Sequence, residues 1–420
     1  MTAIVRSPRR LHGDIRLPGD KSISHRAMIL NAVADGEARI SGLSSGADVA
    51  STARCLRALG VPIEDCRVMG RGLDGLSEPA GPLDCGNSGT TMRLLAGLLA
   101  GRPFSVTLIG DESLSRRPME RVAAPLRLMG AHADTEPLRV GGDGPLHGIE
   151  YASPVASAQV KSALLLAGLS AAGPTRIVEP SPTRDHTERM LQAMGAPVVR
   201  YGPAVILSGP AGALRPLDVR VPGDLSAAAF WLVAAGLHHH GRVRLPGVGV
   251  NSTRAAVLDV LAGCGIDVVR LEPRMEGAEP VADLVVGTAR EPRPFEVDGA
   301  RAAELIDELP VLAVAAALLP GTSRITGAAE LRVKESDRIA AMAAGLSAMG
   351  ADVTELPDGW EIHGPRWLEG ARVSSLGDHR VAMALAVAGL LADGQTEIED
   401  SDCVDISYPT FWDDLEAMCS

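Results

Sequence analysis

The chain has 420 residues, a formal net charge of −12, 22% charged side chains and only 3% aromatic side chains. This length predicts two domains, and the acidic balance without a long basic run argues against a nucleic-acid-binding surface, because such surfaces bind by neutralising phosphates. The six cysteines form no C-x-x-C pair and no Cys/His set with zinc spacing, so the sequence predicts free thiols and no bound metal.

The first residues of the chain, Met1–His12, are rich in arginine and contain no apolar signal segment. No apolar stretch farther along reaches membrane-spanning length without interruption. We therefore expect a cytoplasmic protein that has no membrane partner and no nucleic-acid partner.

The first predicted helix opens with the stretch LPGDKSISHR, residues 17–26, and continues through the apolar run Ala27–Val33. The polar cluster therefore lies at a helix N-terminus, where free N–H groups and the helix dipole favour an anion such as phosphate. Lys21 is one of only three lysines among 40 basic residues, together with Lys161 and Lys334. This scarcity indicates positions that need a compact ammonium group.

An apolar helix followed by glycine and a short strand recurs six times along the chain. The glycines of this pattern are Gly36, Gly101, Gly173, Gly241, Gly321 and Gly394. A second pattern, Leu-x-x-x-Gly at a helix end, predicts left-handed caps at Gly60, Gly130, Gly195, Gly265 and Gly350. The chain thus contains six units of roughly seventy residues. The last unit is incomplete, and we expect the N-terminal segment around Leu11–Leu17 to supply its missing strand.

Several predicted helices are apolar on nearly every side, which is typical of buried helices. They are Ala163–Ala172, Ala227–Ala235, Val311–Leu319 and Val381–Leu391. Strands with one polar face then lie outside them, so the sequence predicts an α+β fold of mixed α/β repeats rather than a doubly wound sheet. We expect three units per domain, with crossings at Pro18-Gly19 and near Val221–Asp224. One domain then comprises residues 20–224, and the other comprises residues 1–19 and 225–420.

The stretch CGNSGTTMR, residues 85–93, precedes the next apolar helix. Asn87 supplies a hydrogen-bond donor, and Gly89 lets a ligand approach the backbone; a helix cap with spare polarity is the alternative. The segment Asp111–Arg121 is predicted to be a loop whose adjacent Arg116 and Arg117 suit a carboxylate or phosphate. A solvated loop without a ligand is the alternative for this segment.

Two further clusters open helices in the middle of the chain. Ser157 is the predicted N-cap of a buried helix, with Gln159 on the side of its free N–H groups and Lys161 nearby. Thr183–Glu188 starts another helix, and His186 has no partner at metal spacing, so we interpret it as a capping or core residue. Simple capping explains the first cluster equally well.

Three charged clusters follow in the last third of the chain. Asp307 lies between Ile306 and Glu308 before a buried helix, so we expect partial burial and a perturbed pKa; a favourable dipole interaction alone is the alternative. Lys334 and Arg338, four residues apart, are predicted to share a helix face that an anion or Glu335 bridges, unless the face is simply solvated. Residues 376–380, LGDHR, again place a basic side chain, that of Arg380, just before a buried helix.

Taken in order, these clusters resemble the 5-enolpyruvylshikimate-3-phosphate synthase family of enolpyruvyl transferases. The matching stretches are LPGDKSISHR, GNSGTTMR, SRRPM, SAQVKSALLLAG, TRDHTE, DELP, LRVKESDR and GDHR. The resemblance implies two domains of three βαβαββ units each, with helices inside and sheets outside in an inverse α/β barrel-like arrangement. It implies transfer of the enolpyruvyl group of phosphoenolpyruvate to the 5-hydroxyl of shikimate 3-phosphate, with release of phosphate. We expect a monomer without a cofactor.

The resemblance also implies site residues by motif. For shikimate 3-phosphate they are Lys21, Ser22, Arg26, Ser157, Ala158, Gln159, Arg184, Asp307 and Lys334. For phosphoenolpyruvate they are Lys21, Asn87, Gly89, Arg117, Gln159, Arg338 and Arg380. The implied catalytic groups are Asp307, as base near the 5-hydroxyl, and Glu335 with Lys21, for the proton of the enol methylene.

The sequence departs from the family pattern at two places. Ile406 stands where many members carry lysine, and Arg184 stands where some have serine. Gly89 keeps the form associated with sensitivity to glyphosate, so we expect inhibition. A related UDP-N-acetylglucosamine enolpyruvyl transferase is the nearest alternative, but its loop cysteine has no counterpart within Asp111–Met119. A non-catalytic anion-binding or RNA-end-processing protein is the alternative of another class.

Overall fold

The computed structural model describes residues 1–142, 144–365 and 367–419, in which strands and helices alternate. The strands are β1 Thr2–Arg6, β2 Leu11–Asp14, β3 Asp35–Ser41, β4 Ile63–Glu64, β5 Arg67–Arg71, β6 Leu83–Asp84, β7 Ser105–Ile109, β8 Ala133–Thr135, β9 Leu138–Gly141, β10 Glu150–Ala152, β11 Gly173–Val178, β12 Val198–Tyr201, β13 Ala204–Gly209, β14 Val219–Arg220, β15 Gly241–Gly249, β16 Val268–Glu276, β17 Glu279–Gly287, β18 Glu296–Val297, β19 Gly321–Ile325, β20 Asp352–Leu356, β21 Gly359–Gly364, β22 Arg372–Ser374 and β23 Gln395–Glu399. The α-helices are α1 Lys21–Ala32, α2 Ala47–Ala58, α3 Gly89–Leu99, α4 Glu112–Ser115, α5 Glu120–Leu128, α6 Ala158–Gly168, α7 His186–Ala193, α8 Leu225–Leu237, α9 Ala256–Gly263, α10 Gly299–Glu304, α11 Leu309–Leu318, α12 Arg338–Ala348, α13 His379–Leu390 and α14 Phe411–Met418. Short 3₁₀ helices occur at Ala329–Val333 and Ser401–Ile406.

The chain folds into two compact units. The inserted unit comprises Gly19–Val221 and Met275–Glu279, and the split unit comprises Met1–Pro18, Pro222–Arg274 and the chain from Pro280 onwards. Each unit buries its own hydrophobic core.

The sheets of the inserted unit repeat one topology. In the described residues their strand orders are β14-β3-β5-β4, β6-β7-β9-β8 and β10-β11-β13-β12. In the second and third sheets, a short strand before a buried helix pairs in parallel with the strand after that helix. In the first sheet, β14 from the end of the inserted unit takes this place and pairs in parallel with β3. A hairpin then adds two antiparallel strands. This order is the βαβαββ unit that the resemblance implies.

The split unit uses the same topology, but the N-terminus supplies two of its strands. Its sheet orders, for the part of the chain that is described, are β16-β17-β15-β2, β18-β19-β21-β20 and β1-β23-β22. The strand that completes the last repeat is Thr2–Arg6, antiparallel to β23, and not the predicted segment Leu11–Leu17. Within that segment, Leu11–Asp14 instead pairs in parallel with β15. The register places Val5 in the core and Ile4 outside.

The centre of each unit is built from apolar helices, as predicted. Helix α8 is buried from Leu225 to Gly236 and α11 from Leu309 to Ala317, and α6 and α13 are buried almost throughout. The glycines predicted as left-handed caps all have positive φ, between 80° and 93°. The prediction of a mixed α/β fold with helices inside is confirmed, and the sheets, as far as described, remain open. Among the described residues, no helix has both the length and the apolarity to cross a membrane.

Candidate functional site

The start of α1 holds a lysine beside free backbone N–H groups. Asp20 caps the helix by accepting a hydrogen bond from the Ile23 N–H at 2.9 Å. The Lys21 Nζ lies 3.1 Å from the Asp48 Oδ2, and the Lys21 side chain remains 18% exposed. The ammonium is therefore held near the positive end of the helix dipole and within reach of solvent, as an anion site requires.

Arg26, one turn farther along α1, is buried among uncharged partners. Its Nε donates to Thr187 Oγ1 at 2.7 Å, and its Nη2 donates to Ser162 Oγ at 2.8 Å. Its Nη1 donates to the carbonyl oxygen of the half-buried Ser22 at 3.0 Å. Burial, together with the positive charge of Arg184, lowers the pKa of Arg26 to about 10. The guanidinium stays charged at neutral pH, because this pKa is still well above 7.

The turn before α3 connects a carboxamide to an arginine. Asn87 donates to Asp111 Oδ2 at 2.7 Å, and Arg117 Nη2 donates to Asn87 Oδ1 at 2.7 Å. A Cβ on Gly89 would lie 2.9 Å from Arg93 Nη1 and 3.3 Å from Arg117 Nη1. Glycine therefore allows two guanidinium groups to approach the start of the helix.

The segment Asp111–Arg121 is not entirely a loop, contrary to the sequence prediction. It contains α4, which Asp111 caps by accepting a hydrogen bond from the Leu114 N–H at 2.8 Å. Leu114 is buried in the core of the inserted unit, and this burial stabilises a helical turn that is too short to show helical periodicity in the sequence.

The start of α6 presents half-buried Ser157, Ala158 and Gln159. Ser157 caps the helix, as predicted, by accepting a hydrogen bond from the Val160 N–H at 3.4 Å. Gln159 accepts a hydrogen bond from Arg93 and donates one to Thr90. This amide therefore ties the start of α6 to α3.

Lys161 is buried and paired with carboxylates, so it is not available to a ligand. Its side chain is 1% exposed, and its Nζ lies 3.0 Å from Glu179 and 2.7 Å from Glu188. The charge of this lysine is therefore balanced by buried carboxylates.

The segment before α7 brings a further arginine to the inserted unit. Arg184 is half-buried, and its positive charge lowers the pKa of Arg26. His186 is buried, with Nδ1 2.7 Å from Glu279 Oε1, so its prediction as a core or capping residue is confirmed.

In the split unit, Arg338 at the start of α12 is surrounded by carboxylates. Its guanidinium lies 2.8 Å from Asp378, 2.6 Å from Glu335 and 3.8 Å from Asp307. Burial lowers the pKa of Arg338, but Asp378 and Glu335 outweigh burial and raise it above its ordinary value. The arginine therefore holds both proposed proton-transfer carboxylates, Asp307 and Glu335, in one cluster.

Lys334 does not share a helix face with Arg338, so that prediction is wrong. Asp337 caps α12, and the helix begins only at Arg338, whereas Lys334 ends the preceding 3₁₀ turn. The Lys334 Nζ lies 3.5 Å from Glu330, and its side chain is 25% exposed. Burial lowers the pKa of this lysine.

Asp307 lies half-buried in the turn before α11, as predicted. Its neighbour Glu308 is fully buried, with Oε1 2.8 Å from Arg254 Nη1. Arg254 also lies 3.3 Å from Asp224, the N-cap of α8. This ion-pair network joins the N-termini of α8 and α11, and so it fixes the turn that carries Asp307.

Arg380 at the start of α13 differs from every arginine described above. Its side chain is 4% exposed, and no hydrogen bond or ion pair of its guanidinium is found within the described ranges of the chain. A buried cation without a counter-charge is costly, so its arrangement suits a bound anion.

The structure therefore gathers the sequence-predicted residues into two clusters, one per unit. The inserted unit carries Lys21, Ser22, Arg26, Asn87, Gly89, Arg117, Ser157, Ala158, Gln159 and Arg184. The split unit carries Asp307, Lys334, Glu335, Arg338 and Arg380. Sequence reasoning missed Asp48, Arg254 and Asp378, which hold these residues in place; only the cap position of Asp378 before α13 gave a local signal. Within residues 1–142, 144–365 and 367–419, no His/Cys/Asp/Glu group could hold a metal ion.

The comparisons agree over the whole chain. A protein-family model described as EPSP synthase (3-phosphoshikimate 1-carboxyvinyltransferase) matches residues 5–415. The 3-phosphoshikimate 1-carboxyvinyltransferase of Gloeobacter violaceus is 53% identical over 419 residues, covering 97% of this chain and 96% of its own. That of Herpetosiphon aurantiacus is 50% identical over 426 residues and 98% of both chains.

Solved structures give the same result. EPSP synthase from Acinetobacter baumannii superposes with a TM-score of 0.88 at 41% identity, covering 99% of this chain and 98% of its own. The enolpyruvyl transferase NikO from Streptomyces tendae shares the fold, with a TM-score of 0.80 at 20% identity over 99% and 96% of the two chains. On the full-length family match and these identities, the chain belongs to the EPSP synthase (3-phosphoshikimate 1-carboxyvinyltransferase) family.

Proposed function

We propose that this chain transfers the carboxyvinyl group of phosphoenolpyruvate to the 5-hydroxyl of shikimate 3-phosphate and releases phosphate, a step of the shikimate pathway to aromatic amino acids. Family membership supports this activity. The observation that carries it in the structure is Arg380, a buried guanidinium without a protein counter-charge among the described residues. The two substrates together bring about six negative charges at neutral pH, which such a cation can bind.

Shikimate 3-phosphate is bound by helix N-termini and cations in this proposal. Its residues are Lys21, Ser22, Arg26, Ser157, Ala158, Gln159, Arg184, Asp307 and Lys334. Arg26 and Arg184 repel each other in the empty protein, and a phosphate group between such charges relieves the repulsion. Each charge-assisted hydrogen bond contributes about 1.5–3 kcal/mol.

Phosphoenolpyruvate is bound by a second set of residues. They are Lys21, Asn87, Gly89, Arg117, Gln159, Arg338 and Arg380. The absence of a Cβ at Gly89 leaves room for the guanidiniums of Arg93 and Arg117, which suit a carboxylate or phosphate. Glyphosate competes for the same residues, so we expect it to inhibit this chain.

The chemistry requires an acid and a base on the two reacting groups. A proton is added to the methylene carbon of phosphoenolpyruvate, the 5-hydroxyl oxygen bonds to the neighbouring carbon, and that hydroxyl loses its proton. The tetrahedral intermediate then expels phosphate, and the methyl group loses a proton to restore the double bond. Asp307 accepts the hydroxyl proton, and Glu335 with Lys21 transfers the methylene proton. Arg338 contacts both carboxylates and so stabilises their ionised forms.

Phosphate release from the purified protein tests this proposal. We expect release when phosphoenolpyruvate and shikimate 3-phosphate are both present, and a product whose mass equals that of shikimate 3-phosphate plus one carboxyvinyl group. Unphosphorylated shikimate is the matched control, because it retains the 5-hydroxyl but lacks the phosphate. Release with UDP-N-acetylglucosamine, or with neither acceptor, contradicts the proposal.

We also propose that the enzyme acts as a monomer in the cytoplasm, without a cofactor. Light scattering during size-exclusion chromatography tests the monomer: a mass near 43.6 kDa supports it, and a mass twice as large contradicts it.

A further inference from the structure

A chain of buried hydroxyl groups runs from α1 through α2 to the turn before α3. His25 Nδ1 lies 2.6 Å from Thr52 Oγ1, and Thr52 Oγ1 lies 2.6 Å from Thr91 Oγ1. Thr91 Oγ1 donates to Ser88 Oγ at 2.7 Å. All four side chains are fully buried, so none of these groups can replace a lost partner with bulk water.

The donor and acceptor in each of these hydrogen bonds follow from the number of protons that each group carries. A hydroxyl group has one proton, and that of Thr91 is donated to Ser88 Oγ at 2.7 Å, with the Asp48 carbonyl oxygen at 3.4 Å as its second acceptor. Thr91 therefore accepts the proton of Thr52, and Thr52 accepts a hydrogen bond from His25. His25 must then carry a proton on Nδ1. Burial, with Lys21 and Arg26, lowers the pKa of His25, so the ring is neutral, with Nε2 unprotonated and without a partner in the described residues.

Helix α2 also connects these hydroxyl groups to Lys21 at the start of α1. Asp48 and Thr52 lie four residues apart on α2 and thus on one face. The Asp48 side chain lies 3.1 Å from Lys21 Nζ, and its carbonyl oxygen lies 3.4 Å from Thr91 Oγ1. One face of α2 therefore contacts both the lysine of α1 and the start of α3.

Ser88, the last of these hydroxyl groups, stabilises the turn that carries Asn87. Ser88 caps α3 by accepting hydrogen bonds from both the N–H and the hydroxyl of Thr91. Asn87 precedes this cap and accepts the hydrogen bond of Arg117. If Ser88 changes its rotamer, the turn keeps its backbone hydrogen bond from Ser88 N–H to the Cys85 carbonyl oxygen but loses the side-chain cap, and the Asn87 amide shifts relative to the Arg117 guanidinium.

We propose that Thr52 is a positioning residue for phosphoenolpyruvate binding. Through Thr91 and Ser88 it holds the turn of residues 86–89 in the conformation that presents Asn87 to the substrate, and it fixes the Nδ1–H tautomer of His25. This inference rests on the proposed function, because it assigns phosphoenolpyruvate to that turn.

Thr52→Val tests the inference, because valine keeps the shape of threonine but removes its hydroxyl group. We expect the KM for phosphoenolpyruvate to rise roughly tenfold, as for one buried hydrogen-bond partner left unsatisfied. The kcat and the KM for shikimate 3-phosphate should change less than about threefold. Thr52→Ser keeps the hydroxyl group and should restore the KM for phosphoenolpyruvate to within about twofold of the unmodified protein.

Thr175→Val is the matched control. Thr175 is also fully buried in the inserted unit, but its hydroxyl group has no hydrogen-bond partner among the described residues. This control should change neither KM. A KM for phosphoenolpyruvate that stays within twofold in Thr52→Val, or that rises equally in Thr175→Val, overturns the inference.

A spectroscopic measurement separates this inference from the proposed function. In protein labelled with ¹⁵N-histidine, the ring nitrogens of His25 should show the Nδ1–H tautomer, with the resonance assigned by its loss in His25→Gln. Thr52→Val should shift this resonance, and Thr175→Val should not. An Nε2–H tautomer in the unmodified protein overturns the inference even if the enzyme is active. An inactive protein with the Nδ1–H tautomer instead contradicts the proposed function.

Discussion

At the scale of single residues, the buried cations of this chain differ in how completely protein groups balance their charge. Lys161 contacts two buried carboxylates, and Arg338 lies near three. Arg380 is nearly as buried as these, yet it has no such partner among the described residues. A charge that is left unbalanced in the empty protein lowers stability, and the protein recovers this energy when an anion binds.

Arg380→Gln should therefore separate stability from function. We expect the KM for phosphoenolpyruvate to rise at least tenfold, because one charge-assisted contact is lost. The melting temperature of the empty protein should stay the same or rise, because an unpaired buried charge is removed. Kinetics and calorimetry measure the two effects. Arg372→Gln, at an exposed arginine on β22, is the control for both. A lower melting temperature for Arg380→Gln would show that protein groups already satisfy this arginine.

Asp307→Asn tests the proposed base. We expect kcat to fall by about 10²–10⁴-fold, the usual range for loss of a general base, while the affinity for shikimate 3-phosphate changes little. Steady-state kinetics and a calorimetric titration give the two quantities. Glu304→Gln, three residues earlier, removes a carboxylate that has no proposed role and should leave kcat unchanged. Near-normal turnover of Asp307→Asn excludes Asp307 as the base.

Local motifs predicted which residues belong to the candidate site, but not how they are held. The half-buried position of Asp307 and the cap at Ser157 follow from their neighbours in sequence. The contact between Arg338 and Asp378 joins residues 40 positions apart, and only the fold brings them together. The shared face predicted for Lys334 and Arg338 was wrong because α12 begins only at Arg338, after its Asp337 cap, and Lys334 lies four residues before the helix.

At the scale of elements, the helix-ending glycines were predictable because the requirement is local. A helix that ends in a left-handed residue favours glycine whatever lies around it. The surroundings of these glycines nevertheless differ. A Cβ on Gly350 would meet its nearest atom at 3.8 Å, whereas a Cβ on Gly265 would lie 2.3 Å from the carbonyl oxygen of Glu291.

Alanine at these two positions should separate backbone strain from steric overlap. Gly350→Ala should cost about 1–2 kcal/mol, the cost of a left-handed conformation for an L-residue. Gly265→Ala has the same φ requirement plus the overlap, so it should destabilise the protein clearly more. Both residues belong to the split unit, so urea unfolding of that unit compares them directly. Equal losses would mean that the backbone near Glu291 moves aside without cost.

At the scale of the whole molecule, the ends of the chain complete one repeat together. Strand β1 pairs with β23 over five residues, and the terminal amine lies 3.2 Å from Asp402. The repeat pattern predicted that the N-terminus would complete the last unit, but it indicated the wrong segment. Pairing between residues almost 400 positions apart depends on which side chains fit the core, and periodicity alone does not specify that choice.

Val5→Ala tests this closure. Val5 is buried against α13 in the core of the split unit, and Ile4 points outward. We expect Val5→Ala to cost about 2 kcal/mol, the order expected for removing buried methyl groups. Ile4→Ala is the matched control and should cost less than about 0.5 kcal/mol. A lower melting temperature in calorimetry for the first variant only is the expected result. Equal effects would show that β1 contributes no side chain to the core.

The scarcity of lysine has a practical consequence for chemical labelling. The Lys161 side chain is buried and paired with two carboxylates. Of the three lysines, only Lys21 and Lys334 therefore present an ε-amine to a reagent such as an activated ester. Both belong to the clusters assigned to the substrates. We therefore expect a dye, cross-linker or immobilisation resin that couples through lysine to inactivate this enzyme as it attaches, and we expect the substrates to protect it.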